Sequence, residues 1–138
     1  MHIVVAPDSF KGTASASEAA ASIATGVRQA LPDATVTTLP MPDGGEGTAA
    51  VLAQAAAAGG QPAETISLPT TDAIGRLTQA SYFLAGTTAF IDVAAATGLP
   101  TVQDCLDPLH ADSYGTGVLI ADAETRGATS IAVSYTHL

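Results

Sequence analysis

The sequence predicts an α/β protein in which a layer of parallel β-sheet is followed by the start of a second, mixed α/β domain. The first observation is a short apolar strand, a loop, a capped helix and a second strand, which together make a βαβ unit. The second is that both strands end in a loop with Asp and Gly, and each loop leads into a helix. The third is a change beyond Pro69, where two β-rich runs joined by Ala85-Gly86-Thr87 predict an antiparallel hairpin.

The βαβ unit is marked by an apolar strand and by a helix cap. His2–Ala6 is apolar without alternation, which is typical of a strand buried on both faces of a parallel sheet. Ser15 and Glu18 form an S-x-x-E capping box, so a helix is expected to begin there and to end before Pro32. Thr35–Leu39 is the second predicted strand, and the right-handed crossover makes it parallel to the first.

The rest of the chain alternates between helical and β-type segments. Runs rich in alanine predict helices, and runs of β-branched and aromatic residues predict strands. We predict a helix over Thr48–Ala58, a strand over Ala63–Leu68, hairpin strands over Leu77–Leu84 and Thr88–Val93, a loop-rich segment over Ala94–Asp107, a helix capped by Ser113 that runs to about Thr125, and a strand over Thr129–Val133.

Composition excludes several classes of function. The 138 residues include 4 Lys+Arg against 13 Asp+Glu, for a formal net charge of −9. Such acidity argues against nucleic-acid binding and against an anionic membrane surface, since both depend on clustered Lys and Arg. The single cysteine, Cys105, excludes a disulfide scaffold and a CxxC zinc or redox site. Without a long apolar run or a basic leader, the sequence predicts a soluble, intracellular chain.

The first loop carries residues suited to phosphate chemistry. Asp8-Ser9-Phe10-Lys11-Gly12 follows the first strand, and ligands of open α/β sheets bind beyond the carboxyl ends of the strands. An Asp can hold Mg²⁺ or take a proton, while a hydroxyl and a Lys can bind phosphate oxygens. Lys11 is the only lysine in the chain. An ordinary solvated turn, with Asp8 or Ser9 as a cap, would use the same residues.

Two later loops are rich in glycine and precede helices. Asp43-Gly44-Gly45-Glu46-Gly47-Thr48 can expose backbone N–H groups to an anion, although its two carboxylates favour a metal ion or a hydroxyl-bearing substrate over bare phosphate. Ser113-Tyr114-Gly115-Thr116-Gly117 places two glycines, which are poor helix formers, in a first helical turn. A glycine-rich turn in the first case, and a simple Ser113 cap in the second, are the alternatives.

Asp92 lies inside a β-rich run, where a carboxylate needs a partner. It faces either solvent or a site, and solvent is the favoured interpretation. His110 and Asp112 are weaker candidates for ligands, because an isolated loop histidine is usually solvated.

Together the loops resemble those of the type I glycerate kinase family. The resemblance extends over residues 1 to about 133 and follows the family's order. It rests on five segments: Ala6-Pro7-Asp8-Ser9-Phe10-Lys11-Gly12, Pro42-Asp43-Gly44-Gly45-Glu46-Gly47-Thr48, Asp92-Val93-Ala94-Ala95-Ala96-Thr97-Gly98-Leu99-Pro100, Asp107-Pro108-Leu109 and Ser113-Tyr114-Gly115-Thr116-Gly117.

This resemblance implies an enzyme that transfers a phosphoryl group from ATP to an alcohol group of D-glycerate, with Mg²⁺, in the cytoplasm. It implies a fold of two α/β domains, the first of them Rossmann- or flavodoxin-like, with the active site in the cleft between them. The implied partners are the small molecules D-glycerate and ATP, with no nucleic acid and no membrane. It implies no particular oligomeric state.

The family motifs also indicate the site residues. From the chemistry of phosphoryl transfer we infer that Lys11 neutralises the substrate carboxylate or the transferring group, and that Asp8 or Asp43 holds Mg²⁺ or orients the attacking hydroxyl. The predicted catalytic residues are thus Asp8, Lys11 and Asp43, with Asp43 as the metal ligand. The predicted substrate- and phosphate-binding residues are Ser9, Gly44, Gly45, Glu46, Ser113, Tyr114, Gly115 and Thr116.

The chain departs from the family at its end. After the strand that matches Thr129–Val133, family members continue into Gly-Gly-Ser-Ala-Thr-Asn-Asp-Gly-Gly, where this chain has Ser134–Leu138. We therefore expect the first part of a longer enzyme, inactive by itself. Residues 1–68 would be the first part of a Rossmann-like α/β domain, 69–133 the start of a second α/β domain, and 134–138 an artefactual tail foreign to the family.

Two other functions remain open at this point. One is a non-catalytic domain that uses the same loops to bind a hydroxy acid or an anion. The other is a kinase for a related sugar acid on the same scaffold.

Overall fold

A computed structural model describes residues 1–10 and 12–135, and in them it has the predicted α/β class. The chain forms two compact units, Met1–Asp43 and Gly44–Leu138. The elements are, in order, β1 (His2–Val5), α1 (Ala16–Ala30), β2 (Thr35–Thr38), α2 (Thr48–Ala58), β3 (Ala63–Thr71), β4 (Leu77–Ala85), β5 (Thr88–Asp92), α3 (Ala94–Thr97), a 3₁₀ turn (Leu99–Thr101), α4 (Tyr114–Thr125) and β6 (Ser130–Ser134).

The first unit is the predicted βαβ unit. β1 and β2 pair in parallel, with His2 opposite Thr35, and α1 packs on both strands. The capping box starts α1 as expected: the Ser15 hydroxyl accepts from the Glu18 N–H at 3.2 Å, and the Glu18 carboxylate accepts from the Ser15 N–H at 2.8 Å. Local sequence therefore determines where this helix begins.

The expected burial of β1 on both faces is wrong. Val5 is buried, but Val4 is 55% exposed. The physical reason is the small size of this unit, in which a single helix packs on a pair of strands and covers one side of it.

The second unit is built on a mixed four-stranded sheet in the order β3-β4-β5-β6. The first two pairings are antiparallel and the β5–β6 pairing is parallel. The predicted hairpin joins β4 to β5, with Gly86 at φ +57°. β3 is three residues longer than predicted and runs through Pro69. Proline is tolerated in an edge strand, because one side of that strand has no neighbouring strand to which an N–H must donate.

Helices cover both faces of this sheet. Ile66, Tyr82 and Ile91 share one face, where they form a core with Leu119 of α4. Asp92 points to the opposite face, where it binds the start of α2. The segment after β5, predicted to be mostly loop, instead begins with the short helix α3, which packs on the same side as α4. The second unit therefore has three layers, helix on sheet on helix.

A buried tyrosine links α4 to the sheet. The Tyr82 side chain is fully buried and its hydroxyl donates to Asp122 Oδ2 at 2.8 Å. Burial, together with this hydrogen bond, raises the pKa of Tyr82 to about 12. The hydrogen bond from Arg126 holds the pKa of Asp122 below its ordinary value. The pair is thus a neutral phenol and a carboxylate at neutral pH.

Arg76 ties the β3–β4 turn to the segment that follows α3. Its Nε lies 2.5 Å from Asp72 Oδ2, its Nη1 lies 2.6 Å from Asp104 Oδ2, and its Nη2 donates to the Thr101 carbonyl. Burial raises the pKa of Asp72, but hydrogen bonds from Arg76 and from the Ile74 N–H outweigh it, so the net pKa is lowered. The pKa of Asp104 is also lowered, chiefly by its hydrogen bond to Arg76.

The start of α4 lies directly against β3. A Cβ at Gly115 would come 1.8 Å from the Thr71 carbonyl oxygen, so only glycine fits there. The Thr70 hydroxyl donates to the Gly115 carbonyl at 2.9 Å, and the Thr116 hydroxyl lies 2.8 Å from that of Thr97. Gly117 differs, because a Cβ there would meet nothing within 4 Å.

No helix in the described residues is both long and apolar enough to cross a membrane.

Two glycine substitutions two residues apart are expected to have opposite effects on stability. Gly115→Ala forces a methyl group into the β3 backbone and should lower the free energy of unfolding by about 1–3 kcal/mol or more. Gly117→Ala adds a methyl group in open space within a helix and should raise it by about 1 kcal/mol. Urea unfolding of the two variants measures both values, and equal behaviour would contradict the packing role of Gly115.

Stability should depend on pH through the carboxylates that bind Arg76. In the folded chain the pKa values of Asp72 and Asp104 lie below 3.8, so their contribution is present above that value and is lost as pH falls through the lowered folded values. The free-energy difference between wild type and Arg76→Gln should be constant above about pH 5 and shrink below about pH 4.

Arg28→Gln provides the control for this measurement. Arg28 is exposed near the end of α1 and has no ion pair within residues 1–10 and 12–135. Its removal should give a difference from wild type with no comparable decrease in acid. A difference for Arg76→Gln that is equally flat would show that the ion pairs do not lower the two pKa values.

Candidate functional site

In the first unit, two of the predicted loops begin side by side. β1 and β2 are parallel, and their pairing continues past the strand ends, with the Met41 N–H donating to the Pro7 carbonyl at 3.0 Å. Asp8 follows Pro7 directly, and Asp43 comes two residues after Met41. The loops that carry these two carboxylates thus begin at the carboxyl ends of the paired strands, where α/β proteins bind ligands.

The first loop is a closed turn. The Asp8 carboxylate accepts the Ser9 N–H at 2.6 Å, and Phe10 pairs with Ala14 across a turn in which Gly12 has φ +74°. Asp8 is exposed. Lys11, the predicted catalytic lysine, lies outside the described residues, and the roles assigned to this loop stay predictions.

In the second unit, three strand ends meet at one edge of the sheet. β3, β5 and β6 run in the same direction, so Thr71, Asp92 and Ser134 end their strands on the same side. The loop Gly44–Gly47 reaches this edge from one face of the sheet, and Ser113–Thr116 reaches it from the other. The structure therefore brings together two motifs that are almost 70 residues apart in the sequence. We call this edge, with its two loops, the carboxyl edge.

Asp92 holds the loop Gly44–Gly47 against the sheet. Its Oδ2 accepts the Gly47 N–H at 2.9 Å and its Oδ1 accepts the Ala49 N–H at 2.8 Å. The Ser134 hydroxyl also donates to this carboxylate. The interpretation that Asp92 faces solvent is therefore wrong, since the start of α2 supplies the partner that a carboxylate in an apolar strand requires.

These contacts change the prediction for the glycine-rich loop. A carboxylate of the protein takes the N–H groups of Gly47 and Ala49, and the Thr48 hydroxyl accepts the Gly44 N–H at 3.0 Å. Those three N–H groups are not open to a bound anion. Glu46, in contrast, is exposed and has no hydrogen bond or ion pair with any other described residue. The loop therefore presents the Glu46 carboxylate to solvent, while the N–H groups of Gly44, Gly47 and Ala49 are occupied within the protein.

The motif at the start of α4 divides into two halves. Ser113 occupies the N-cap position but makes no capping hydrogen bond, and Asp112 Oδ1 instead accepts the Tyr114 N–H at 2.9 Å. The expected Ser113 cap is thus wrong by one residue, since Ser113 lacks the extended backbone of a capping residue. Ser113 and Tyr114 are exposed, while Gly115 and Thr116 are buried in the contact with β3 and α3.

The donor set suits a metal ion that is shared with phosphate oxygens. Within residues 1–10 and 12–135, no group of three His, Cys, Asp or Glu side chains is placed to hold a metal ion. Mg²⁺ in phosphoryl-transfer sites is commonly bound by one or two carboxylates together with substrate phosphates and water. Single exposed carboxylates such as Asp8 and Asp43 fit that mode of binding.

The sequence did not predict the roles of two residues at the carboxyl edge, Asp92 and Ser134. Asp92 gave a signal, because a carboxylate in an apolar strand needs a partner, but the partner could not be named across 43 to 45 residues of chain. Ser134 gave none, since it fell in the predicted foreign tail. In the structure Ser134 ends β6, and its carbonyl accepts the Val93 N–H at 3.0 Å. Residues 136–138 lie outside the described residues, and the origin of the tail stays a prediction.

The predicted division at residue 68 also stays a prediction. The boundary between the two compact units falls after residue 43 of the chain, and β3 runs through residue 68 without interruption.

Comparison with known proteins finds similar sequences that are named glycerate kinases. It is 44% identical over 136 residues to a glycerate 2-kinase of Escherichia coli K12 and 41% identical over 133 residues to a glycerate kinase of Haemophilus influenzae. These alignments cover 96% and 94% of this chain but 34% of each relative. The chain thus spans about a third of the length of the curated relatives it matches.

The fold has a close counterpart in a solved structure. The crystal structure of a protein named glycerate kinase 2, from Salmonella typhimurium LT2, matches with a TM-score of 0.80 and 40% sequence identity. The match covers 97% of this chain and 35% of that one. The sequence model of the glycerate kinase family matches residues 3–135, and the chain therefore belongs to the glycerate kinase family.

Proposed function

We propose that this chain is the N-terminal part of an enzyme that transfers the γ-phosphoryl group of ATP to a hydroxyl group of D-glycerate. The observation that carries the proposal is the carboxyl edge, at which both Gly44–Gly47 and Ser113–Thr116 lie although they are far apart in the sequence. Family membership and the relatives named glycerate kinase support it. The reaction belongs to the cytoplasm, which supplies ATP.

The substrate carboxylate and the transferred phosphoryl group are both anionic, so the site needs a cation to bind them. Because the chain has a net charge of −9, that positive charge must be concentrated at the site. The chain has four basic residues, and two of them, Arg76 and Arg126, form ion pairs with Asp side chains. Arg28 lies in the last turn of α1. Lys11 belongs to the motif that follows the first predicted strand in the sequence, and we assign it the anionic groups of the reaction.

The carboxylates of the two loops of the first unit complete the proposed chemistry. Asp43 would hold Mg²⁺ as the protein ligand, and Asp8 would orient the attacking hydroxyl. When bound, Mg²⁺ neutralises charge on the phosphate oxygens. Ser9, beside Asp8, offers a hydroxyl to the same phosphates.

The carboxyl edge of the second unit would bind the substrate. Glu46 is an exposed carboxylate that can accept a hydrogen bond from a substrate hydroxyl. Ser113 and Tyr114 are exposed at the start of α4 and can donate to substrate oxygens. Gly44, Gly115 and Thr116 act through the backbone shape that they maintain, and Gly45 is buried within the loop.

The 138-residue chain by itself should show no phosphoryl transfer. It spans about a third of its relatives, and phosphoryl transfer requires a complete, water-excluding site. The measurement is release of ADP from ATP and Mg²⁺ with D-glycerate, compared with the background without glycerate. Turnover that depends on D-glycerate would contradict the inactivity of the isolated chain.

A full-length protein that carries this segment should prefer D-glycerate in a panel of hydroxy acids and longer sugar acids. A higher kcat/KM for a longer sugar acid would assign the site to that substrate instead. Glycerate binding without any nucleotide-dependent turnover would indicate a binding protein.

Substitution of the single lysine tests its assigned role. In the full-length protein, Lys11→Ala should lower kcat/KM for D-glycerate by a factor on the order of 10²–10³, the effect of removing one group that stabilises transition-state charge. Arg28→Ala removes the same charge from α1 and should leave kcat/KM within about twofold of wild type. Equal rates for the two variants would remove Lys11 from the site.

A further inference from the structure

We propose that Asp92 is a positioning residue for the loop Gly44–Gly47: its carboxylate acts as a built-in anion at the start of α2, so that the loop meets the hydroxyl end of the substrate and not a phosphate. The part of this proposal that concerns the substrate rests on the proposed function. The part that concerns the loop rests on the structure alone.

The start of α2 depends on Asp92 because local capping is absent. The N-cap residue is Gly47, which has no side chain, and the first turn of α2 has no acidic residue. Both oxygens of Asp92 take up this function, one with the Gly47 N–H and one with the Ala49 N–H. A negative charge at a helix start is favourable, since it meets the positive end of the helix dipole. The end of β5 thereby determines where the loop ends and the helix begins.

The orientation of Asp92 is itself fixed from β6. The Ser134 hydroxyl donates to the Asp92 carboxylate, and the Ser134 carbonyl accepts the Val93 N–H. A Cβ at Gly44 would lie 3.2 Å from the Tyr135 carbonyl oxygen, so the other end of the loop also lies close to the end of β6. The loop is thus held at both ends, by a carboxylate at one and by close backbone packing at the other.

This arrangement determines which ligand the loop can accept. Helix starts bind phosphate through the same N–H groups that Asp92 occupies here, and a phosphate would have to displace a like-charged carboxylate. Glu46 adds a second, exposed carboxylate one residue before Gly47. A neutral hydroxyl that donates to Glu46 meets no such repulsion. The loop therefore suits the hydroxyl groups of the acceptor substrate.

Amide hydrogen exchange of the 138-residue chain tests the positioning. Asp92→Asn keeps the size of the side chain, but its NH₂ group cannot accept an N–H, so exchange at the Gly47 and Ala49 amides should accelerate about tenfold or more. Exchange in the β3–β4 ladder should stay as in wild type. Acceleration throughout the sheet, or none at the two amides, would overturn the proposal. Glu124→Gln removes an equal charge from an exposed site on α4 and should change neither region.

Titration with inorganic phosphate tests the exclusion of anions. In wild type the Gly47 and Ala49 amide resonances should not move, and in Asp92→Asn they should shift as phosphate is added. Phosphate-dependent shifts at these amides in wild type would overturn the proposal.

If Asp92→Asn does not fold, Ser134→Ala serves instead, since it keeps the Asp92 carboxylate and removes one of its hydrogen-bond partners. It should accelerate exchange at the same two amides only, and an effect spread over the sheet would overturn the proposal.

Kinetics of the full-length protein separate this proposal from the proposed function. Asp92→Asn should raise the KM for D-glycerate at least tenfold and leave the KM for ATP within about twofold, whereas a smaller folded fraction would lower the apparent kcat and leave both KM values unchanged. Equal changes in both constants would overturn the positioning role. If wild type shows no glycerate-dependent transfer, the proposed function fails, while the exchange and phosphate experiments still decide the role of Asp92 in the loop.

Discussion

The Asp92 carboxylate joins three parts of the second unit that are distant in the chain: the end of β5, the start of α2 and the end of β6. α2 has no capping side chain of its own, and within its glycine-rich entry the Thr48 hydroxyl accepts the Gly44 N–H. Because charge-assisted hydrogen bonds are stronger than neutral ones, one side chain can define this loop. The proposed substrate contacts at Glu46 depend on that definition.

The other side of the same sheet uses a steric constraint instead of charge. At Gly115 the α4 backbone touches the β3 backbone, the Thr70 hydroxyl binds the Gly115 carbonyl across the same interface, and the Thr97–Thr116 contact joins α4 to α3. Both solutions place a helix start beside a strand end, which is the usual location of ligands in α/β proteins. A rigid sheet with differently anchored loops on each face is a suitable frame for a site that must hold two substrates in register.

The elements that local sequence determines were predictable. The capping box starts α1, the alanine-rich run forms α2, and a turn glycine joins β4 to β5. Contacts across the sheet were not, because a sequence pattern carries no distance between residues far apart. The Asp92–Gly47 hydrogen bond and the place of Ser134 in β6 are of that kind. The burial of β1 was overestimated, because an apolar strand was expected to be packed on both faces of the sheet, whereas α1 packs on only one side of it. The roles of Lys11 and Asp43 come from resemblance and stay predictions.

The close approach at Gly115 has a consequence for the comparison of related sequences. A glycine that never varies next to a binding motif is commonly interpreted as a sign of ligand contact. Here the spacing between α4 and β3 is enough to exclude every other residue at position 115. Position 117, two residues further along, is under no such restriction. An unvarying glycine at 115 would therefore report the architecture of the sheet, whereas an unvarying glycine at 117 would report something that approaches α4 from outside the fold.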